Sequence, residues 1–412
     1  MKQAHGNWVE GDRFWNREQD VELLMERIRE GEHTLLVAQR RMGKTSLLHE
    51  VARRLNGEYV CLFVDLQKHA SGADAVVELS LATHPHKPLW LKSTELFSNV
   101  FGKVKDAVEE IEAGELSVKL RAGLTAGDWR DKGDQLFRIL AASEKPVLIL
   151  LDEVPLLVNR ILKDDDGRIK PNGRAQADEF MSWLRDNSIR HKGKVRIILS
   201  GSIGLEPVLN QAGLSATLST FVPLDLKPWD ESTAIGCLDA LAIEYEVQFH
   251  EGATQAMVRM LGCCIPHHVQ MFFTHVYDMC KRRGRMEFFP DEVEEVYHRE
   301  MLGVRGHAEL THYEERLKLV IGAEYLPLAI EMLTEAAVAG ALRKEALVAL
   351  QKTYAFGEKN LADVQRAILQ VLEHDGYLQR EGAAWVFVSK LVRDWWKRRY
   401  EAFYTPVLER GV

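Results

Sequence analysis

The chain has 412 residues, 46% apolar and 28% charged, which predicts two or three domains of ordinary globular composition. A net charge of −8 argues against a protein that coats nucleic acid or anionic membrane. The longest fully apolar runs, such as Tyr59 to Val64, are too short to span a bilayer, and no charged-then-apolar leader opens the chain. Its five cysteines, Cys61, Cys237, Cys263, Cys264 and Cys280, form no C-x-x-C pair. They are expected as buried free thiols in a reducing, cytoplasmic setting.

In chain order, Arg13 to Glu18 precedes Val21, Leu23, Leu24 and Ile28, spaced for an amphipathic helix. The apolar run Thr34-Leu35-Leu36-Val37 then enters Ala38-Gln39-Arg40-Arg41-Met42-Gly43-Lys44-Thr45-Ser46, and Leu47 to Ala52 continues as a helix. Strand, tight turn and helix is the setting of a phosphate-binding loop, with Ala38 standing where the first glycine is usual. Successive backbone N–H groups at a helix start can cradle anionic oxygens. Lys44 would reach the β- and γ-phosphates of ATP, and Thr45 would take a place on Mg²⁺.

Tyr59 to Asp65 reads as a second buried strand, and Ala73 to Leu81 as a helix. His84-Pro85-His86-Lys87-Pro88 breaks regular structure, with no third ligand spaced to make the histidines a metal site. Leu96 to Ile111 has a helical pattern, Leu116 to Leu120 alternates like an exposed strand, and Asp128-Trp129 starts another helix. Val147 to Leu151, five aliphatics, ends in Asp152-Glu153. That marks a buried parallel strand whose end faces the phosphates. Asp152 is placed for Mg²⁺ and Glu153 to polarise the attacking water. Lys163 to Arg168 lacks the alternating ligands of a calcium loop and reads as a solvated turn. Gln176 to Asp186 is a helix carrying Arg185, with Arg190 close behind. Val195 to Leu199 is a further strand ending in Ser200-Gly201-Ser202, where Ser200 or Ser202 could contact the γ-phosphate or the water.

Beyond Pro228 the pattern turns helical, which predicts a boundary there. Pro266 suits a helix start. His268 and His275 share a helical face two turns apart, roughly 10 Å, too far for one metal. Lys281 to Arg285 and the acidic Asp291 to Glu295 read as flanks of one solvated connection. Leu328 to Ala339, Lys344 to Tyr354 and Leu361 to Glu373 are three helices, followed by a hairpin over Gly376 to Val388. Together they predict a winged helix-turn-helix, closed by a last helix over Leu391 to Tyr404 with Trp395 and Trp396.

The chain resembles the archaeal-type ATPases, a branch of the signal-transduction ATPases with numerous domains (STAND) in the AAA+ group. The resemblance rests on Phe14 to Glu18, Arg40 to Leu48, Leu151-Asp152-Glu153, Leu199 to Ser202, Ile265-Pro266 and Leu391 to Trp396. It implies an α/β fold: a P-loop parallel-sheet core over 1–228, a helical lid over 229–300 and a winged helix-turn-helix over 301–412. By resemblance Arg17 and Glu18 pack near the adenine and Pro266 is the lid proline on the base. Cys264, where members carry glycine, and Ala38 are the departures. The resemblance further implies an ATP-driven switch of slow turnover. Such a switch changes homo-oligomeric state and reports to a protein partner, in some members in defence against mobile elements. An arginine from a neighbouring subunit, Arg185 or Arg190, would complete the site.

The alternative reading is a DNA-bound ATPase of the initiator or transposition-regulator kind. From Pro327 to Val412, 12 Lys and Arg face 11 Asp and Glu, and Leu361 to Glu373 carries only Arg366 as a base. A DNA reader normally shows a basic stripe. The nearest to one is Lys390, Arg393, Lys397, Arg398 and Arg399, so a protein-docking role is favoured. A small-molecule kinase on the same loop is the third reading, disfavoured by the Asp-Glu pair and the large C-terminal half.

Overall fold

A computed structural model of the chain describes residues 9, 11, 14–97, 124, 128–354 and 360–410. The chain divides into two compact units. One comprises Arg17–Val37 and Leu47–Asp225; the other comprises Ala38–Ser46, Leu226–Val412 and the described part of Met1–Asn16.

The first unit is built on a five-stranded parallel sheet in the order β2-β3-β4-β1-β5. Its strands are β1 (His33–Val37), β2 (Val60–Asp65), β3 (Val147–Asp152), β4 (Val195–Leu199) and β5 (Phe221–Asp225). β3 is buried at every position, as its unbroken aliphatic run requires of a central strand covered on both faces. β5 closes one edge, where Pro223 opposite Leu35 can lack an N–H without breaking an inner ladder. The register sets Leu151 opposite Leu199, so the ends of β3 and β4 lie level.

Two helices after β2 and β3, Trp129–Ala141 and Gly173–Arg190, meet around Trp183. Its ring stands edge-on to Trp129 and Phe137, and its Nε1 donates to Asp134 at 2.9 Å. Gly133 gives that ring its room, since a Cβ there would press on it. His33 ties the sheet to the same layer. Its Nε2 donates to the Ser188 carbonyl at 3.0 Å, and its Nδ1 accepts the Ile197 N–H at 3.1 Å.

Pro88 begins a helix, Lys87–Glu95, rather than extending the break. In the first turn a missing N–H costs nothing and a fixed φ helps. The expected helix from Leu96 and the expected strand over 116–120 lie almost wholly outside the described residues.

The second unit runs through helices Glu231–Glu244, Ala253–Leu261 and Pro266–Arg283. Its basic turn and acidic run are ion-paired with each other: Arg283 reaches Glu292 (2.6 Å) and Glu295 (2.9 Å). Helices Val304–Leu310 and His312–Ile321 come next, both unforeseen because neither has a long apolar stripe. Helices Leu326–Val338, Lys344–Thr353 and Leu361–His374 precede the hairpin Leu378–Glu381 and Ala384–Phe387. A two-residue strand, Leu342–Arg343, completes a small antiparallel sheet and the winged-helix form. The last helix, Lys390–Tyr400, buries both tryptophans. The chain beyond it is pinned by the buried Glu335, which accepts from Tyr404 Oη (2.8 Å) and the Val407 N–H (2.9 Å). Among the described residues no helix is long and apolar enough to cross a membrane.

Candidate functional site

The chain leaves β1 at Val37 and re-enters regular structure at Lys44, the first residue of the helix Lys44–Leu55. The intervening turn takes two left-handed residues, Arg41 at φ 68° and Gly43 at φ 87°. Glycine accepts that conformation without strain, whereas arginine pays for it and must be held by its surroundings. The buried Lys44 folds its ammonium back over its own loop, donating to the carbonyls of Ala38 (2.7 Å) and Gln39 (2.9 Å). The helix carries no acidic residue in its first turn. No acid of its own first turn thus competes with an anion for its positive end. Met42 is buried, and Ser46 Oγ accepts the Val9 N–H at 3.0 Å.

What holds Arg41 comes from the C-terminal part of the same unit. Its carbonyl accepts the His267 N–H at 3.4 Å, one residue into the helix opened by Pro266. Its guanidinium lies 3.6 Å from Glu309 Oε2, and His267 Nε2 lies 3.3 Å from that same oxygen. Gln39 packs so closely on Gly376 (φ 75°) that a Cβ there would overlap its side chain. Sequence reasoning missed Glu309 and Gly376, which sit in no motif and far along the chain.

The second set of candidates lies in the other unit, at the level ends of β3 and β4. Asp152 is buried, and its Oδ1 accepts the Glu153 N–H at 3.0 Å. Glu153 turns left-handed (φ 59°) between the strand and the helix Val154–Leu162. Its carboxylate is taken by Ser202, one of the two serines expected near the γ-phosphate or the water: Ser202 donates to Oε2 from its N–H (3.0 Å) and its Oγ (2.8 Å). Ser200 is buried, and its Oγ has no hydrogen-bond partner among the described residues.

Arg17 is buried and paired with Asp20 at 3.1 Å. Burial pushes its guanidinium below its ordinary range, and Asp20 opposes the shift. Glu18 is gripped at both oxygens by Arg54 (2.6 and 2.8 Å), which holds its carboxyl below the usual carboxylate range. Both therefore serve local ion pairs here. Arg190 pairs with Asp134 at 3.4 Å, whereas the Nε of the half-buried Arg185 is unpartnered among the described residues. All five cysteines are free. Burial raises the thiols of Cys61, Cys263 and Cys264 to about 11 and Cys237 to about 12, so these four are inert as nucleophiles. Among the described residues no three His, Cys, Asp or Glu side chains are grouped to hold a metal.

Every base of the C-terminal basic cluster is engaged within the protein. Lys390 and Arg393 lie 3.5 and 2.8 Å from Asp394, Lys397 lies 3.9 Å from Glu401 and Arg399 lies 2.8 Å from Glu314. Arg398 donates to the His298 carbonyl at 3.1 Å.

Two solved structures share the fold along nearly their whole length. A Walker-type ATPase of Pyrococcus abyssi matches at 16% identity, covering 96% of this chain and 99% of that one, with a TM-score of 0.63. The ORC2 protein of Aeropyrum pernix, solved as ADPNP–ADP complexes, matches at 12% identity over 97% and 98%, with a TM-score of 0.52. No family model matches the chain, and no curated protein matches it in sequence. The likeness is one of fold, and it bears out the expected class: a parallel P-loop-type core, a helical region and a winged helix.

Proposed function

We propose that the chain binds Mg·ATP, hydrolyses it slowly and uses the nucleotide's state to switch conformation and homo-oligomeric state. The observation that carries the reading is the grip on the phosphate loop. Arg41 is held by Glu309 and His267, and Gln39 by Gly376, all from the C-terminal part of the chain. A loop that rearranges around phosphates must change those contacts, and so report to the lid and the winged helix. In this scheme 1–228 is the ATPase core, 229–300 the lid and 301–412 the winged-helix reporter.

The backbone of Ala38 to Ser46 would cradle the phosphates, with Lys44 on the β- and γ-groups and Thr45 and Asp152 as oxygen donors to Mg²⁺. Each unit offers groups that suit the cargo: in one, a helix start without acids in its first turn and a left-handed glycine; in the other, a buried carboxylate at a strand end and a Ser200 hydroxyl unpartnered among the described residues. Magnesium would supply charge neutralisation on the phosphates when bound. Glu153 would orient the water whose oxygen bonds to the γ-phosphorus. The β,γ-bridging bond breaks, ADP leaves with the bridging oxygen and the water's proton passes to a phosphate oxygen. Ser200 would contact the γ-phosphate, Arg185 would act across a subunit boundary, and Arg17, Glu18 and Pro266 would lie toward the adenine. Free, high-pKa thiols suit a cytoplasmic setting. The ion-paired C-terminal cluster supports a protein partner over DNA, because engaged bases release few counterions.

The test is Glu309→Gln beside Gly376→Ala, read by nucleotide titration and by mass in solution. Loosening the grip is expected to change the ATP-to-ADP affinity ratio several-fold and to shift the assembly response. Wild-type behaviour in both variants, with nucleotide binding intact, would remove the support for a switch.

A further inference from the structure

Four hydrogen bonds join the end of β3 to the turn after β4, all within one unit. The Ser200 N–H donates to the Leu151 carbonyl at 2.9 Å, and the Val154 N–H to the Ser200 carbonyl at 3.1 Å. Ser202 adds its backbone N–H and its hydroxyl, both to Oε2 of Glu153. Between these serines Gly201 lies against Pro155 so tightly that a Cβ would overlap the proline ring. Pro155, fixed in the first turn of its helix, thus serves as a rigid floor for the turn.

The two donors of Ser202 share one carboxylate oxygen. Oε1 of Glu153 accepts no hydrogen bond among the described residues. Two donors on one oxygen fix the carboxylate plane and leave the other oxygen to receive a proton donor of its own. Glu153 also sits at φ 59°, a strained conformation for a non-glycine residue that persists only where neighbours over-determine it. Those neighbours are Ser202 and the Leu156 and Leu157 N–H groups, which donate to the Glu153 carbonyl at 3.1 and 3.3 Å. Groups that act on water are effective when held by partners locked in their own geometry.

We infer that Ser202 is the positioning residue for Glu153: it anchors Oε2 so that Oε1 is presented to the attacking water. The inference rests on the reading of Glu153 as the water-orienting group. Gly201 belongs to the same device, since only glycine lets the turn close on Pro155.

The test compares Ser202→Ala, Ser202→Thr and Glu153→Gln for steady-state ATP hydrolysis, affinity for a fluorescent ADP analogue and thermal midpoint. Ser202→Ala keeps the backbone donor and loses the hydroxyl. Its kcat is expected to fall roughly tenfold, with nucleotide affinity and midpoint unchanged, and Ser202→Thr is expected to restore most of the rate. If Ser202→Ala hydrolyses at or above the wild-type rate, or threonine fails to rescue it, Ser202 does not position Glu153. A loss of affinity or midpoint in step with the rate would assign it a structural role instead. If Glu153→Gln itself retains the wild-type rate, the reading of Glu153 fails first, and the two failures are told apart.

Discussion

Between pH 6.5 and pH 4 the protein is expected to lose stability steadily, driven by three buried neutral histidines. His33 is pushed down to about 4, by burial first and then by the charges of Arg196 and Lys192. His268 is pushed down to about 3 by burial, then by His267 and Arg41. His312 is lowered further, by burial and then by Arg40 and Arg41. Their ordinary value is 6.5. Below it the unfolded chain takes up protons that the folded chain refuses. Their contribution is therefore complete above pH 6.5 and drains away as pH falls toward the folded values. Each costs at most about 1.4 kcal/mol per pH unit below 6.5; His33 acts on one compact unit, His268 and His312 on the other.

The chemistry of His33 shows why it resists protonation. Its Nδ1 already accepts the Ile197 N–H, and a proton there would set two donors face to face. Neither ring nitrogen of His268 has a hydrogen-bond partner among the described residues. His268→Phe is thus expected to flatten the pH dependence of the unfolding midpoint by one proton without loss at pH 7. A midpoint independent of pH from 7 to 5, or unchanged pH dependence in His268→Phe, would contradict this account.

Lys44→Ala is expected to abolish measurable nucleotide binding, a loss of roughly a hundredfold or more for a charged donor removed from a dry anion site. The variant loses the cation proposed for the phosphates and the two bonds by which Nζ closes the loop over Ala38 and Gln39. Lys44→Arg is not expected to rescue it, because a planar fork cannot place its donors on both carbonyls and still face a phosphate. Titration with a fluorescent ADP analogue measures it, with circular dichroism to confirm folding. Affinity within twofold of wild type would remove the phosphate loop from the account.

The parts legible in the sequence were those written in one continuous stretch. The aliphatic run Val147 to Leu151 demanded a covered central strand, and Gly43-Lys44-Thr45 demanded a tight turn between a strand and a helix. Val364, Ile368 and Leu372 marked a single buried stripe on one helix of the winged domain. What stayed hidden depends on partners distant along the chain. Ser202 meets Glu153 only because Leu151 and Leu199 are in register. Glu309 and Gly376 reach Arg41 and Gln39 from more than two hundred residues away. The strand Leu342–Arg343 is too short to show a period of two. Glu18 reads as an isolated charge until Arg54 is found on it.

We expect bound nucleotide, and not DNA, to set the state of this chain. This is tested most directly by ATP hydrolysis in wild type and Glu153→Gln, with and without duplex DNA, while mass in solution is followed. The expected result is slow turnover indifferent to DNA, lost in Glu153→Gln, with ATP driving assembly of that variant. Turnover stimulated several-fold by DNA together with a shift in mass would contradict it, and would make the winged helix a DNA reader despite its paired charges.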